Sequence, residues 1–423
     1  MFNPNKNVII SQTQCKGSNS ACHIGKLEYN HNRFIYMYDC GLKIKDLKGL
    51  KNYLKEDDKV NLIYLSHLCN DHIRGIYRIK DKIKKEKNKQ FQKWYADTKF
   101  VLPYVNDTDK FLYFLFIDDI SSEEYVHMIY DDILWFSNND SYSNFSYSLD
   151  NYNPCIKENN LNCIYFKINN SQINWVLLPY VYGNSEYRQN IIDKLNDNII
   201  LKNLITKYND IYNEESFTVV AKLLDAWKNA IKNNEKIWKD ILKIKNIKKE
   251  TDKSISNLLS MTLYSGPYDT FANASINYKK NSAMNYYRLD NKPNNVIKRN
   301  PLNCQGWMHT GDANLEDEER YNAFICRYNN IWSNIAVMSI PHHGSSKNFN
   351  IKNCPNNCKI FIITPHHMVC KKTVITNVPK GKIVYCTLKH DFESTTVSNG
   401  IFTSHYNVPE LYNYNECPKY KTD

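Results

Sequence analysis

The chain has 423 residues and a net charge of +11, with 55 Lys and Arg against 44 Asp and Glu. That length allows one large core with sizeable insertions, or two domains, and the 42% apolar content argues against a disordered chain. The longest strongly apolar run, FLYFLFI at 111–117, is far too short to cross a bilayer, so no membrane association is expected.

The N-terminal stretch MFNPNKNVIISQTQ lacks the charged region and long apolar core of a secretory signal, which points to the cytoplasm. The 13 cysteines are scattered along the chain and do not form a compact disulfide framework, so most are expected to be reduced. CPNNC at 354–358 offers two zinc ligands, but no second close pair completes a four-ligand site. The positive charge favours polyanions. Lys, Asn, Ile and Tyr are all abundant, however, and a biased composition produces basicity by itself.

In chain order, residues 8–42 read as β-structure, with RFIYMYDCG breaking at Asp39-Cys40-Gly41. Residues 44–56 predict a short helix with Leu47, Leu50 and Leu54 on one face. NLIYLS is a strand, followed by a polar burst and a basic helix to about residue 90. Between 95 and 250, strands are expected at 111–117, 163–168 and 174–180. Residues 216–246 predict helix, with Val220, Leu223, Leu224, Trp227 and Ile231 at helical spacing. The lysines on its polar side fit either a solvated face or a phosphate-binding one. After 255 the pattern is again β-rich: LLSMTLYSG, WMHTGD, IAVMSIPHHG, KIFIITPHH and KIVYCTLKH.

Several apolar runs share one habit. FIYMY ends at Asp39; LIYLS ends at His67, Cys69, Asp71 and His72; WMHT ends at Gly311-Asp312; IAVMSI ends at Pro341-His342-His343-Gly344; KIFIIT ends at Pro365-His366-His367. A lone histidine after a strand is usually a solvated loop residue. Parallel strands laid side by side would instead bring these tips to one edge, as a two-metal site requires. In extended backbone His67, Cys69 and Asp71 share a face, and the adjacent Asp71 and His72 diverge toward different metals.

SHLCNDHIRG resembles the His-x-His-x-Asp-His-x-x-Gly signature of the metallo-β-lactamase fold, YDCG resembles its first motif, and HTGDAN its bridging-aspartate motif. The set NLLSMTLYSG, MHTGDAN and IPHHGSS is similar to the soluble nuclease domain of ComEC-type competence proteins. The likeness spans roughly 30–90 and 255–400. It implies an α+β fold, the αββα sandwich, in one domain over 1–423 with its core in 1–95 and 251–423. Residues 96–250 would be a basic, partly helical insertion able to hold a protein partner.

The resemblance also implies two divalent metal ions, zinc first and manganese as the alternative. His67, Cys69, Asp71, His72, Asp312, His342, His343 and His366 are the candidate ligands, with Asp312 bridging. Asp71 and His343 would be catalytic, the first orienting water and the second a ligand or proton donor. Asp39, Asn257 and Ser260 would support the site from behind. Cys69, where the family has histidine, is open to three readings: a zinc-binding thiolate, a small buried thiol, or the mark of a lost ion. The Gly-His-Pro turn is absent and His366 stands near its place. No histidine lies between 128 and 308 to supply the lactamase and lactonase third motif.

The expected function is metal-dependent hydrolysis, with a phosphodiester in nucleic acid or a nucleotide as substrate. The alternatives are a small-molecule hydrolase of a lactone, thioester or amide, and a non-catalytic scaffold with a degenerate site.

Overall fold

The computed structural model describes residues 8–16, 21–29, 32–43, 48–69, 71–76, 78, 89–95, 97–103, 133–136, 145–148, 160–161, 163–167, 174–182, 193, 197–212, 217–239, 260–267, 306–345, 348–349, 354–364, 383–387, 391–398 and 402–407. These residues build a mixed α+β protein around two mixed sheets.

The strands are β1 (Val8–Gln14), β2 (Cys22–Tyr29), β3 (Asn32–Cys40), β4 (Val60–Tyr64), β5 (Lys99–Pro103), β6 (Ile133–Phe136), β7 (Phe145–Ser148), β8 (Asn160–Leu161) and β9 (Ile164–Lys167). They continue with β10 (Asn174–Tyr180), β11 (Thr262–Pro267), β12 (Gly306–His309), β13 (Ile335–Ser339), β14 (Ile360–Ile363), β15 (Ile383–Cys386), β16 (Phe392–Ser398) and β17 (Phe402–Asn407). One sheet runs β17-β16-β1-β2-β3-β4-β5-β6-β8 and the other β15-β14-β13-β12-β11-β10-β9-β7. Among the described residues, α-helices accompany them as α1 (Lys89–Tyr95), α2 (Ile199–Tyr212), α3 (Phe217–Asn233) and α4 (Glu318–Tyr328).

Direction within the sheets positions everything that follows. β3, β4 and β5 are parallel, and so are β12, β13 and β14. Parallel strands end on the same side, so the tips of β3 and β4 come together, as do those of β12 and β13. Phe34, Tyr36, Leu62 and Val101 of the first sheet share one buried cluster with Phe166, Trp175, Leu177 and Leu263 of the second. On the first sheet's other side, Ile35, Met37 and Ile63 pack with Leu201, Leu204, Val220 and Leu224 of α2 and α3. Met308, Met338 and Phe361 pack with Phe324 and Tyr328 of α4. Alternation along each strand sends neighbouring residues to these different clusters.

The expected β-structure over 8–42 is present as β1 to β3, and the strands expected at 163–168 and 174–180 are β9 and β10. The expected strand at 111–117 lies outside the described residues. Of the helix expected over 44–56, the described part holds a 3₁₀ turn at Lys48–Asn52 with Leu50 and Leu54 buried, and Leu47 lies outside the described residues. The helix expected over 216–246 divides: α3 ends at Asn233, and Asn234 restarts a helical turn by accepting the Ile237 N–H on its side-chain oxygen at 3.2 Å. Val220, Leu224 and Ile231 face the core, whereas Leu223 is 41% exposed. The helix turns about 100° per residue, so Leu223 and Leu224 cannot both sit at the centre of the apolar stripe. The described part of 96–250 supplies β5, β6 and β8 to one sheet and β7, β9 and β10 to the other, so these strands are continuous with both sheets.

Candidate metal centre

The β4 strand ends at Tyr64, and the backbone leaves it through Ser66 and His67 before residues 71–76 turn helical. The Cys69 carbonyl accepts the N–H groups of His72 and Ile73 and so starts that turn. Asp71 therefore opens a helix and is not in extended backbone, which corrects the alternation expected for His67, Cys69 and Asp71. The expected divergence of Asp71 and His72 is also corrected. Neighbours in a helical turn are about 100° apart, not 180°, and Asp71 Oδ2 lies 3.9 Å from His72 Nε2.

Two groups of ligand atoms converge, each with all its atoms within 4.8 Å of one another: His67, His72 and Asp312; and Asp71, His72 and His343. Within them His72 Nε2 lies 3.3 Å from Asp312 Oδ1, His67 Nε2 3.7 Å from Asp312 Oδ2, and His343 Nε2 2.7 Å from Asp71 Oδ2. The residues come from strand tips on both sheets. His342 stands at the rim, its Nε2 3.9 Å from Asp312 Oδ2 and its Nδ1 3.0 Å from Asn348 Oδ1. Cys69 is partly exposed and joins neither group. His366 and Asn257 lie outside the described residues.

The supports are as specific as the ligands. Asp39, fully buried at the end of β3, accepts the Ser66 N–H at 2.7 Å, the Ser66 hydroxyl at 2.9 Å and the His72 Nδ1–H at 2.7 Å. That last bond turns His72 Nε2 toward Asp312 and leaves its lone pair available to a cation. The Nδ1–H of His343 donates to the Thr364 carbonyl at 2.8 Å, which fixes that ring in the same sense. Ser260 Oγ accepts the Asp312 N–H at 2.9 Å. A Cβ on Gly311 would fall 2.5 Å from Ser260 Oγ, and Gly311 has φ +50°, so this turn requires glycine. Among the described residues the non-glycine positions with positive φ are Asp39 (56°), His342 (49°) and His343 (55°), all of them at this site.

Burial raises the Asp39 carboxyl, partly offset by His72. Burial also acts against the charge on Asp312 and Asp71, but His72 and the other imidazoles outweigh it and hold both carboxyls below their usual range. Burial works against a charge on His72 too, yet Asp39, Asp312 and Asp71 raise it well above an ordinary histidine. His67 is pushed down to about 3 by burial and by the neighbouring His72. Three carboxylates thus converge on one buried space, where positive charge is stabilised.

The residues fit a bound cation on a direct observation. His67 Nε2, His72 Nε2 and Asp312 Oδ1 are buried and meet no hydrogen-bond geometry; their polar neighbours are one another, through His–Asp contacts of 3.3 and 3.7 Å. Such groups are costly to bury without good hydrogen bonds, and all three belong to one ligand group.

The sequence reading missed Ser66, which bridges Asp39, His67 Nδ1 (3.0 Å) and His72 Nδ1 (3.1 Å). The signal for it was its place between a strand and the histidine run. His309 was also missed. It lines a cavity of about 30 Å³ together with Gln14, Cys22, Asp39, His72 and Asp312.

No protein-family model matches the chain, and no curated protein matches it significantly. The described residues contain no helix long and apolar enough to cross a membrane.

Proposed function

We propose that the chain is a metal-dependent hydrolase of the metallo-β-lactamase type, its two sheets and outer helices forming that fold's αββα sandwich, and that it cleaves phosphodiesters in nucleic acid or nucleotides. The observation that carries this reading is the convergence of His67, Asp71, His72, Asp312 and His343 from separate strand tips, with buried ligand atoms of His67, His72 and Asp312 that lack hydrogen bonds at the meeting point.

His67, His72 and Asp312 would hold one divalent cation, zinc or manganese; Asp71 and His343 would hold a second, since the single free lone pair of His72 can serve only one ion. Bound there, such ions lower the pKa of water and neutralise charge on a phosphoryl oxygen. The remaining chemistry belongs to the chain. Asp71 is held ionised and offers a carboxylate oxygen to orient water. In the alternative role, with no ion on it, His343 Nε2 would hold or release a proton at Asp71 Oδ2, 2.7 Å away, its ring fixed by the Thr364 carbonyl. Asp39 and Ser66 keep His72 in one orientation. The net charge of +11 and the exposed Lys222 on α3 support an anionic substrate.

The test is to purify the protein, measure bound zinc and manganese, and offer single- and double-stranded DNA, RNA and a chromogenic phosphodiester. Cleavage that disappears in Asp71→Ala and Asp312→Ala is the expected result. Metal binding without phosphodiester cleavage would redirect the reading to a lactone, thioester or amide. A protein that binds no metal would overturn it and leave the scaffold reading.

A further inference from the structure

Directly behind the metal centre, three cysteines form a row across three neighbouring strands. Cys15 follows β1, Cys22 opens β2 and Cys40 closes β3. The Cys15 N–H donates to the Cys22 carbonyl at 2.9 Å, and Cys22 and Cys40 are Cα partners in the β2–β3 ladder. The register shifts between Cys22 and His23, so this pair sits at a β-bulge; opposed residues of an antiparallel pair have Cα atoms roughly 4.5–5.5 Å apart. That separation is within the range a disulfide spans. All three are buried thiols, and burial, with the neighbouring Cys15 and Cys40, raises the Cys22 thiol well above an ordinary cysteine.

The row is coupled to the ligands by backbone. Ala21, beside Cys22, donates its N–H to the Asp71 carbonyl at 3.1 Å. Gly41, beside Cys40, donates its N–H to the Ala21 carbonyl at 2.7 Å. A Cβ on Gly41 would meet the Asp71 carbonyl oxygen at 1.5 Å, so the two backbones are in contact. Asp39, which orients His72, immediately precedes Cys40. Cys22 also lines the 30 Å³ cavity that reaches Asp312 and His343. Among the described lining residues Cys22 is the one thiol of the row on that cavity.

We propose that Cys22 and Cys40 are an oxidative modification site, closing to a disulfide under a hydroperoxide and thereby shifting the backbone clamp on Asp71. The Cys22 sulfur attacks one peroxide oxygen, the O–O bond breaks, and a sulfenic acid and one water (or alcohol) result. The Cys40 sulfur then displaces the hydroxyl from that sulfenic acid. A second water leaves, and the two thiol protons end in the two products. Two thiols are oxidised by two electrons in total and one peroxide is reduced. Closing the bond fixes the side chains at the ends of β2 and β3 to one another, beside Ala21, Asp39 and Gly41. The consequence for metal affinity rests on the proposed metal centre; the bond itself does not.

The experiment uses the full chain treated with hydrogen peroxide, alkylated, unfolded and digested with trypsin. The protease separates the three cysteines into peptides 7–16, 17–26 and 34–43. The expected product is a 17–26/34–43 cross-link, lighter than the sum of its peptides by two hydrogens and cleaved by a thiol reductant. It persists in Cys15→Ala and is lost in Cys40→Ala. Zinc affinity, measured on the same samples against a chromogenic chelator, falls at least tenfold on oxidation and recovers on reduction. Three outcomes overturn the proposal: all three cysteines alkylated after peroxide, a cross-link to Cys15 or Cys69, or the expected cross-link with zinc affinity unchanged. If neither redox state binds zinc, the metal-centre reading fails, and the cross-link map still decides whether Cys22 and Cys40 are the modified pair.

Discussion

Replacing Asp39 by asparagine separates orientation of the candidate metal centre from stability of the fold. Asp39 Oδ1 accepts the Ser66 N–H at 2.7 Å, a bond an amide oxygen can keep. Oδ2 accepts the Ser66 hydroxyl and the His72 Nδ1–H, and the amide nitrogen that takes its place in Asp39→Asn can accept neither. The serine hydroxyl can rotate to accept, but His72 must then move its proton to Nε2 or lose its support. A protonated neutral Nε2 is no ligand. A hydrogen bond to a charged group is worth about 1.5–3 kcal/mol. Loss of such a support lowers metal affinity by about 10- to 100-fold, or roughly 1.4–2.7 kcal/mol.

The backbone at 39 has φ 56°, which asparagine tolerates well. The substitution also relieves the burial that opposes the Asp39 charge. Stability of the metal-free protein should therefore change by less than about 1 kcal/mol. The assay is zinc competition against a chromogenic chelator, with urea unfolding of the metal-free protein as the control. Zinc affinity within twofold of the parent would refute the argument that Asp39 sets the His72 tautomer.

Gly41→Ala places a methyl group on the Asp71 carbonyl oxygen; we expect a loss of about 1–3 kcal/mol or more, with lowered zinc affinity, by urea unfolding and chelator competition. Leu224→Ala should cost about 2–5 kcal/mol, against about 0.5 kcal/mol or less for the exposed Leu223→Ala, both read from unfolding midpoints. Burial pushes His309 down to about 3. The unfolded chain therefore takes up a proton below about pH 6.5 that the folded protein refuses, and stability falls by about 1.4 kcal/mol per pH unit down to about pH 3 from this group. In His309→Gln that slope should be reduced by the same amount, and an unchanged slope would contradict the assignment.

The habit of polar tips after apolar runs was legible because it is local: Asp39, His67, Asp71, His72, Asp312 and His343 each follow a strand that the β-propensity pattern marks. Their convergence depended on strands being parallel, which no single segment encodes. The Asp71–His72 geometry was misread because a helix begins between Cys69 and Asp71, and a one-residue shift in that start changes which way the side chains point. Leu223 was misplaced because two adjacent leucines fit the same periodicity equally well until packing chooses one. The Thr364 carbonyl was invisible, since a backbone oxygen carries no motif, and Ser66 was marked only by its place between a strand and the histidine run. The cysteine row needs the register of three strands, so scattered spacing hid it.

Asp39, His342 and His343 hold backbone angles that L-residues resist, at about 1–2 kcal/mol each. Selection for heat resistance alone would relieve that strain by moving positions 342 and 343 to glycine, and each such change would strip an imidazole from the centre. A screen for thermostable variants that also demands zinc retention should therefore gain at the helices and strand faces and leave these three residues untouched.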